Sequence, residues 1–203
     1  DSWNDSGQEV TFEVEVPETG NYKLGFYYQN PKNDFSVFRT IRIDGEIPFE
    51  EMMAYEFKVT TGNKGKFEVL SDSNGKPYEF YLTKGTHKVS LRADYEPVSR
   101  SIRNLQLILD HLNKFTLDII KITGRNVDKN RTWEFTRYIP ETDLYLESYE
   151  IILKDIITDL SQYAPNKEAS ATLAYIQKAL YMLDELREEP DDLPLYLENL
   201  STG

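Results

Sequence analysis

The rhythm of apolar side chains changes once, near residue 97, and that change constrains the fold more than any other feature. Before it, apolar residues recur at every second position. Gln8-Glu9-Val10-Thr11-Phe12-Glu13-Val14-Glu15-Val16 sets Val10, Phe12, Val14 and Val16 on one face and polar groups on the other, the signature of a half-buried strand. Pro17-Glu18-Thr19-Gly20-Asn21 is a turn signal. The next strand spans 22–28, with Tyr22, Leu24, Phe26 and Tyr28 on one side. Gln29 to Asp34 is a loop, and Phe35 to Ile43 alternates again before Asp44-Gly45. Further strands are expected at 55–60, 66–70, 78–82 and 86–93, separated by Gly/Asn/Asp turns. Short strands at regular spacing, with no helical stretch between them, predict an antiparallel β-sandwich or jelly roll rather than a parallel sheet.

Beyond Glu96-Pro97 the spacing becomes three and four. Ile102, Leu105, Leu109, Leu112, Phe115 and Ile119 predict an amphipathic helix over 98–123, with Gly124 as its C-cap. Residues 125–140 are irregular and carry Trp133, Phe135 and Tyr138, where Trp133 reads as a packing residue. A second helix is expected over 141–163, with Leu144, Ile152, Ile156 and Leu160 on its stripe. Pro165 stops it, and Asn166 is placed to cap a third over 168–188, carrying Leu173, Ile176, Leu180 and Leu183. After Pro190, Asp192 is placed to cap a short helix at 193–200. The fold class is therefore α+β in two parts: a sandwich domain over 1–97, then a three- to four-helix bundle over 98–203.

The chain has 203 residues, no cysteine and a net charge of −12, and the acidic excess is six on either side of residue 97. Without cysteine there are no disulfides, no thiol nucleophile and no zinc–thiolate site. The acidity repels nucleic acid and anionic membrane, so neither is expected as a partner. The chain opens at Asp1 without methionine or leader and closes at Ser201-Thr202-Gly203, which reads as a piece of a larger protein.

Catalytic constellations are not evident, and no cofactor or metal is expected. His87 lies in a strand and His111 in a helix, with no nucleophile motif near either. The adjacent acids Glu50-Glu51, Glu188-Glu189 and Asp191-Asp192 diverge in regular structure, unlike a convergent glycosidase pair. Asp72-Ser73-Asn74-Gly75 lacks the later acidic ligands of a calcium loop and reads as a turn. Aromatic residues form 13% of the chain, enough to ask what they face. Tyr27, Tyr28 and Phe35 flank a loop containing Asn30, Asn33 and Asp34. Rings beside amide and carboxylate groups have the composition of an oligosaccharide site. The same tyrosines also suit the interior and outer face of a sandwich, and both readings stand at this point.

The stretch from Val10 to Pro97 resembles the amino-terminal region of large extracellular solute-binding proteins (family 1) of Gram-positive sugar ABC transporters. The residues that carry this are Trp3 before the first strand, Val16-Pro17-Glu18-Thr19-Gly20-Asn21-Tyr22, Ile43-Asp44-Gly45-Glu46-Ile47-Pro48-Phe49-Glu50-Glu51, Tyr78 through Leu91, and Glu96-Pro97 leading into a helix. Ile122-Thr123-Gly124 and Leu193-Pro194-Leu195-Tyr196-Leu197 extend it into the helical part. The stretch Thr60 to Gly65 is shorter than in that family. The resemblance implies a galactose-binding-like sandwich akin to carbohydrate-binding modules. It implies a parent protein attached to the cell surface by a lipid anchor and working with an ABC permease. It also implies a sugar-capturing, substrate-binding domain beyond Gly203, and it supplies no catalytic residue. The chain itself is expected to be a non-catalytic accessory module with weak carbohydrate binding, or a spacer that positions the substrate-binding domain.

Overall fold

A computed structural model describes residues 5–31, 34–62, 64–168, 170–197 and 200. Two compact units are present: residues 1–97 with Tyr163–Pro165, and Val98–Gln162 with Asn166–Gly203.

The described residues of the first unit form eight strands: β1 Glu9–Val16, β2 Gly20–Tyr22, β3 Gly25–Tyr28, β4 Val37–Ile43, β5 Tyr55–Phe57, β6 Lys66–Val69, β7 Phe80–Leu82 and β8 Gly85–Asp94. All pairings are antiparallel. One sheet runs in the order β1-β8-β4-β5, and β2-β7 and β3-β6 form two short ribbons. Between them lies one core. Val16, Ile41, Phe57, Val89 and Leu91 from the sheet meet Leu70, Phe80 and Leu82, with Tyr22, Leu24, Phe26 and Tyr28 half-buried around them. Period two thus places each strand's apolar row on the inner side, where burial of each large side chain contributes about 1.5–3 kcal/mol.

The expected single strand 22–28 is two strands with different partners. Its inner row is continuous, but the facing run leaves at Ser71 and returns at Pro77, where those two residues form an isolated bridge. Leu70 N–H donates to Leu24 O at 2.9 Å on one side of this excursion, and Tyr78 N–H donates to Leu70 O at 2.9 Å to close it. Gly20 and Asn21, expected in the turn, already belong to β2. The strands expected at 35–43 and 55–60 are shorter, at Val37–Ile43 and Tyr55–Phe57. Phe12, expected on a buried face, is about half exposed on edge strand β1. Phe38, on the opposite face of β4 from Ile41, is also buried. It packs edge-on to Tyr163, ring centroids 4.9 Å apart.

The second unit is built on α1 Ser99–Thr123, α2 Thr142–Ser161 and α3 Ala171–Glu188. Gly124 ends α1 with φ 75 and its N–H on Ile120 O, as its position after the last periodic residue implies. The stripes differ from expectation in two helices. On α1 the buried residues include Ile108, Phe115 and Ile119, while Ile102 and Leu109 are exposed. On α2 they are Thr142, Leu146, Tyr149, Leu153, Ile156 and Leu160, a strict four-three alternation, and Leu144 is exposed. On α3, Leu173, Ile176, Leu180 and Leu183 are all buried. The cap of α3 is Ser170, whose hydroxyl accepts from Leu173 N–H; Asn166 instead accepts from Glu168 N–H at 3.2 Å. The short helix expected at 193–200 begins earlier, as a 3-10 helix at Pro190–Tyr196 where Pro190 and Pro194 lack backbone donors, and Leu197 and Leu200 are α-helical. Residues 198 and 199 of the expected helix lie outside the described residues. Asp191, not Asp192, anchors this segment: its Oδ1 accepts from both the N–H and the hydroxyl of Thr136 at 2.7 Å.

Candidate functional site

The β3-β6 ribbon has two unlike faces. On the inner face Tyr28 packs edge-on to Phe57 at 4.9 Å, and Phe26 meets the same ring at 6.2 Å. The Tyr28 and Tyr55 hydroxyls each donate to the Glu68 carboxylate at 3.3 Å, and Lys66 Nζ sits 2.7 Å from it. Burial, then the nearby carboxylate, pushes the Tyr28 hydroxyl well above the ordinary tyrosine range.

The outer face is different. From Asn21 to Gln29 exposure alternates without a break, so Asn21, Lys23, Gly25 and Tyr27 all point to solvent. Tyr27 is 71% exposed and Phe67 64%. These two residues oppose each other in the register, between the Gly25–Val69 and Tyr28–Lys66 pairs. A Cβ built on Gly25 would meet Phe67 Cζ at 2.5 Å, and one on Gly65 would collide with the Tyr27 ring. Each ring therefore lies diagonally along the ribbon over a glycine of the other strand, the arrangement by which an aromatic covers the gap a strand glycine leaves. On β7, Tyr81 is 70% exposed, opposite Asn21.

Of the described residues expected to bind a saccharide, Tyr27 stands on this outer face. Tyr28 points to the interior. Asn30 is 4% exposed and holds the loop together: its N–H donates to Thr60 Oγ1 at 2.9 Å and its side-chain amide donates to Phe35 O at 3.2 Å. Asp34 and Phe35 are half-buried, and Asn33, like Trp3, lies outside the described residues. Phe67 and Tyr81 were not read from the sequence as site residues. The available signal was Gly25 and Gly65, each two positions from an aromatic residue of its own strand.

The histidines are held in place by their neighbours. His87 Nδ1 pairs with Asp44 Oδ2 at 2.6 Å, and Nε2 faces Thr83 O at 2.8 Å. Acceptors at both nitrogens favour the imidazolium, so its pKa is raised, chiefly by the Asp44 bond. Asp44 sits at φ 52 ahead of Gly45 at φ 88, a left-handed pair that turns the chain after β4. Its Oδ1 also accepts from Lys88 N–H at 2.8 Å, and its pKa is lowered, first by that bond and then by His87. In the helical unit His111 Nδ1 meets the Tyr149 hydroxyl amid Phe115 and Tyr145. Asp72-Ser73-Asn74-Gly75 is a turn: Asp72 Oδ1 accepts from Asn74 N–H and Lys76 N–H at 2.9 Å, and Gly75 has φ 81. Among the described residues, no group of three or more His, Asp or Glu is placed to hold a metal ion, and no helix is long and apolar enough to cross a membrane. Trp133 is buried, with its indole N–H on Asp128 O at 3.1 Å and the Arg131 guanidinium 4.3 Å over its ring.

No curated protein matches the chain. Among solved structures, a ruminal GH26 endo-β-1,4-mannanase is similar at 20% identity with a TM-score of 0.29. That match covers 43% of this chain and 15% of the mannanase chain, and it carries no argument about fold or activity. Residues 100–203, about half of the chain, match the family model of the bacterial solute-binding protein 4-helix bundle domain. Three α-helices followed by the Pro190–Tyr196 segment occupy that span. On that match, the chain belongs to the bacterial solute-binding protein 4-helix bundle domain family.

Proposed function

We propose that this chain is the non-catalytic accessory part of a bacterial solute-binding protein serving sugar uptake through an ABC transporter. On this reading its first unit is a galactose-binding-like jelly roll that contacts carbohydrate weakly. The parent protein acts at the surface of a Gram-positive cell, held by a lipid anchor, and a separate substrate-binding domain captures the transported solute. The observation that carries this reading is the family match over the helical half, standing beside an antiparallel β unit with aromatic rings turned to solvent. Solute-binding families bind and deliver rather than react, in keeping with histidines tied to structural partners. The residues proposed to contact saccharide are Tyr27, Tyr28, Asn30, Asn33, Asp34 and Phe35, of which Tyr27 carries an exposed ring.

Calorimetric titration of the chain with neutral oligosaccharides at millimolar concentration tests the binding clause. Heat that saturates supports it; absence of heat with every saccharide removes it. A second reading, a spacer that positions the substrate-binding domain, is favoured by apolar residues exposed on the helices: Leu107 and Leu117 on α1, Leu144 and Ile151 on α2, Tyr175 on α3. Where such residues adjoin in a contiguous patch, they mark a surface that another protein segment covers. Transport retained in a parent protein whose first unit is deleted, but lost when the helical unit is deleted, would favour the spacer.

A further inference from the structure

Tyr27 and Phe67 face each other in register, yet their rings extend in opposite directions, each flattened over a glycine. Glycine weakens a strand interior, and it is tolerated where something must approach the backbone closely. Here the approaching groups are the two rings. Each ring lies close over a glycine of the ribbon and leaves most of its surface to water. Tyr81 adds a third exposed ring on the same side, level with Asn21.

The spacing follows from the register. Phe67 lies over the Gly25 level, and Tyr27 lies over Gly65, one residue before β6 and level with Gln29. Those levels are four residues apart, about 13 Å at about 3.3 Å per residue. The Asn21 level of Tyr81 is four residues from Gly25 in the other direction, across the break between β2 and β3. The ring levels thus follow one another along the two ribbons, separated by more than the width of one pyranose ring.

Exposed polar residues, Asn21, Lys23 and Glu79, lie among these rings. An apolar protein surface docking here would strip water from Lys23 and Glu79 and return nothing. A pyranose chain offers both complements: flat C–H faces for the rings, and hydroxyls for the amide, ammonium and carboxylate between them. The net charge of −12 disfavours polyanionic glycans.

We infer that the outer face of the β2-β7 and β3-β6 ribbons binds an extended neutral polysaccharide chain, with sugar faces more than one unit apart resting on Tyr81, Phe67 and Tyr27. The inference rests on the carbohydrate reading above and adds ligand length and the contributions of Phe67 and Tyr81.

The test titrates the 203-residue chain calorimetrically with cello-, xylo- and malto-oligosaccharides from the monosaccharide to the hexasaccharide, and with the parent polysaccharides by affinity electrophoresis. Affinity is expected to climb with length until a ligand reaches from one ring to the next. Phe67→Ala and Tyr81→Ala should each weaken binding of the longest ligand by about fivefold or more, as loss of an anchoring ring does, with unchanged thermal melting. Gly25→Ala should do the same by lifting the Phe67 ring while keeping every aromatic residue. Equal affinity for monosaccharide and hexasaccharide, or full affinity in both alanine variants, overturns the inference and leaves the carbohydrate reading standing. No binding of any saccharide overturns both. A dimer in analytical ultracentrifugation that Phe67→Ala abolishes also overturns it, by assigning the face to a second copy of the chain.

Discussion

Leu144 and Leu146 lie two positions apart on α2 with opposite fates. Leu146 is 0% exposed and lies on the buried row with Thr142, Tyr149 and Leu153, whereas Leu144 is 60% exposed. Replacing Leu146 by alanine removes a side chain enclosed on all sides and leaves a cavity, at a cost of about 2.7–5 kcal/mol for buried leucines. The same change at Leu144 removes atoms that already touch water, and its expected effect stays within about 0.5 kcal/mol. With a urea m-value of about 2 kcal/mol/M, Leu146→Ala moves the helical unit's midpoint down by about 1.5–2.5 M and Leu144→Ala by about 0.25 M or less. Urea titration followed by far-ultraviolet circular dichroism reads this transition. Comparable shifts in the two variants, or a larger one for Leu144→Ala, would refute the assignment of the buried stripe.

Three further outcomes follow from named contacts. The raised His87 pKa means that its pairing with Asp44 stabilises the β unit fully below the unfolded histidine value of 6.5, and that this contribution disappears as pH rises through the higher folded value. The difference in melting temperature between the wild-type chain and His87→Gln should therefore shrink from pH 5 to pH 9; a difference that grows across this range contradicts the pairing. Asp191, whose pKa is lowered first by the Thr136 N–H bond, stabilises in the opposite sense: its contribution is present above its unfolded value of 3.8 and is lost as pH falls. Asp191→Ala should increase hydrogen exchange at Thr136 at neutral pH and have a smaller effect in acid. Ser170→Ala, which removes the side-chain acceptor for Leu173 N–H, should cost about 1 kcal/mol in urea unfolding.

Where a segment's own periodicity settles its environment, the sequence was a sufficient guide. On α3, Leu173, Ile176, Leu180 and Leu183 are the apolar residues at helical spacing, and all four are buried. The lone shift in rhythm near Glu96-Pro97 corresponds to the end of β8 at Asp94 and the start of α1 at Ser99. Periodicity was insufficient where several rows compete. Leucine and isoleucine lie around much of α1, so a row through Ile102 and Leu109 was as regular as the buried one through Ile108 and Phe115. The split of 20–28 into β2 and β3 was hidden for another reason: it is imposed by the excursion of the facing strand at Ser71–Pro77, more than forty residues away. The same nonlocality concealed most of the exposed aromatic face. Tyr27 was visible as an aromatic beside a polar loop, but Phe67 joins it only through register, and Tyr81 only through the β2-β7 pairing.

Saccharide resting on the outer ribbon face, as inferred above, would perturb that face more than the loop of residues 29–35. A heteronuclear NMR titration of the labelled chain with a neutral hexasaccharide reads the contact residue by residue. Binding on the ribbon face gives amide shifts confined to residues around Asn21, Gly25, Tyr27, Phe67 and Tyr81; shifts centred on Asn30, Asp34 and Phe35, or on the helices, rule it out.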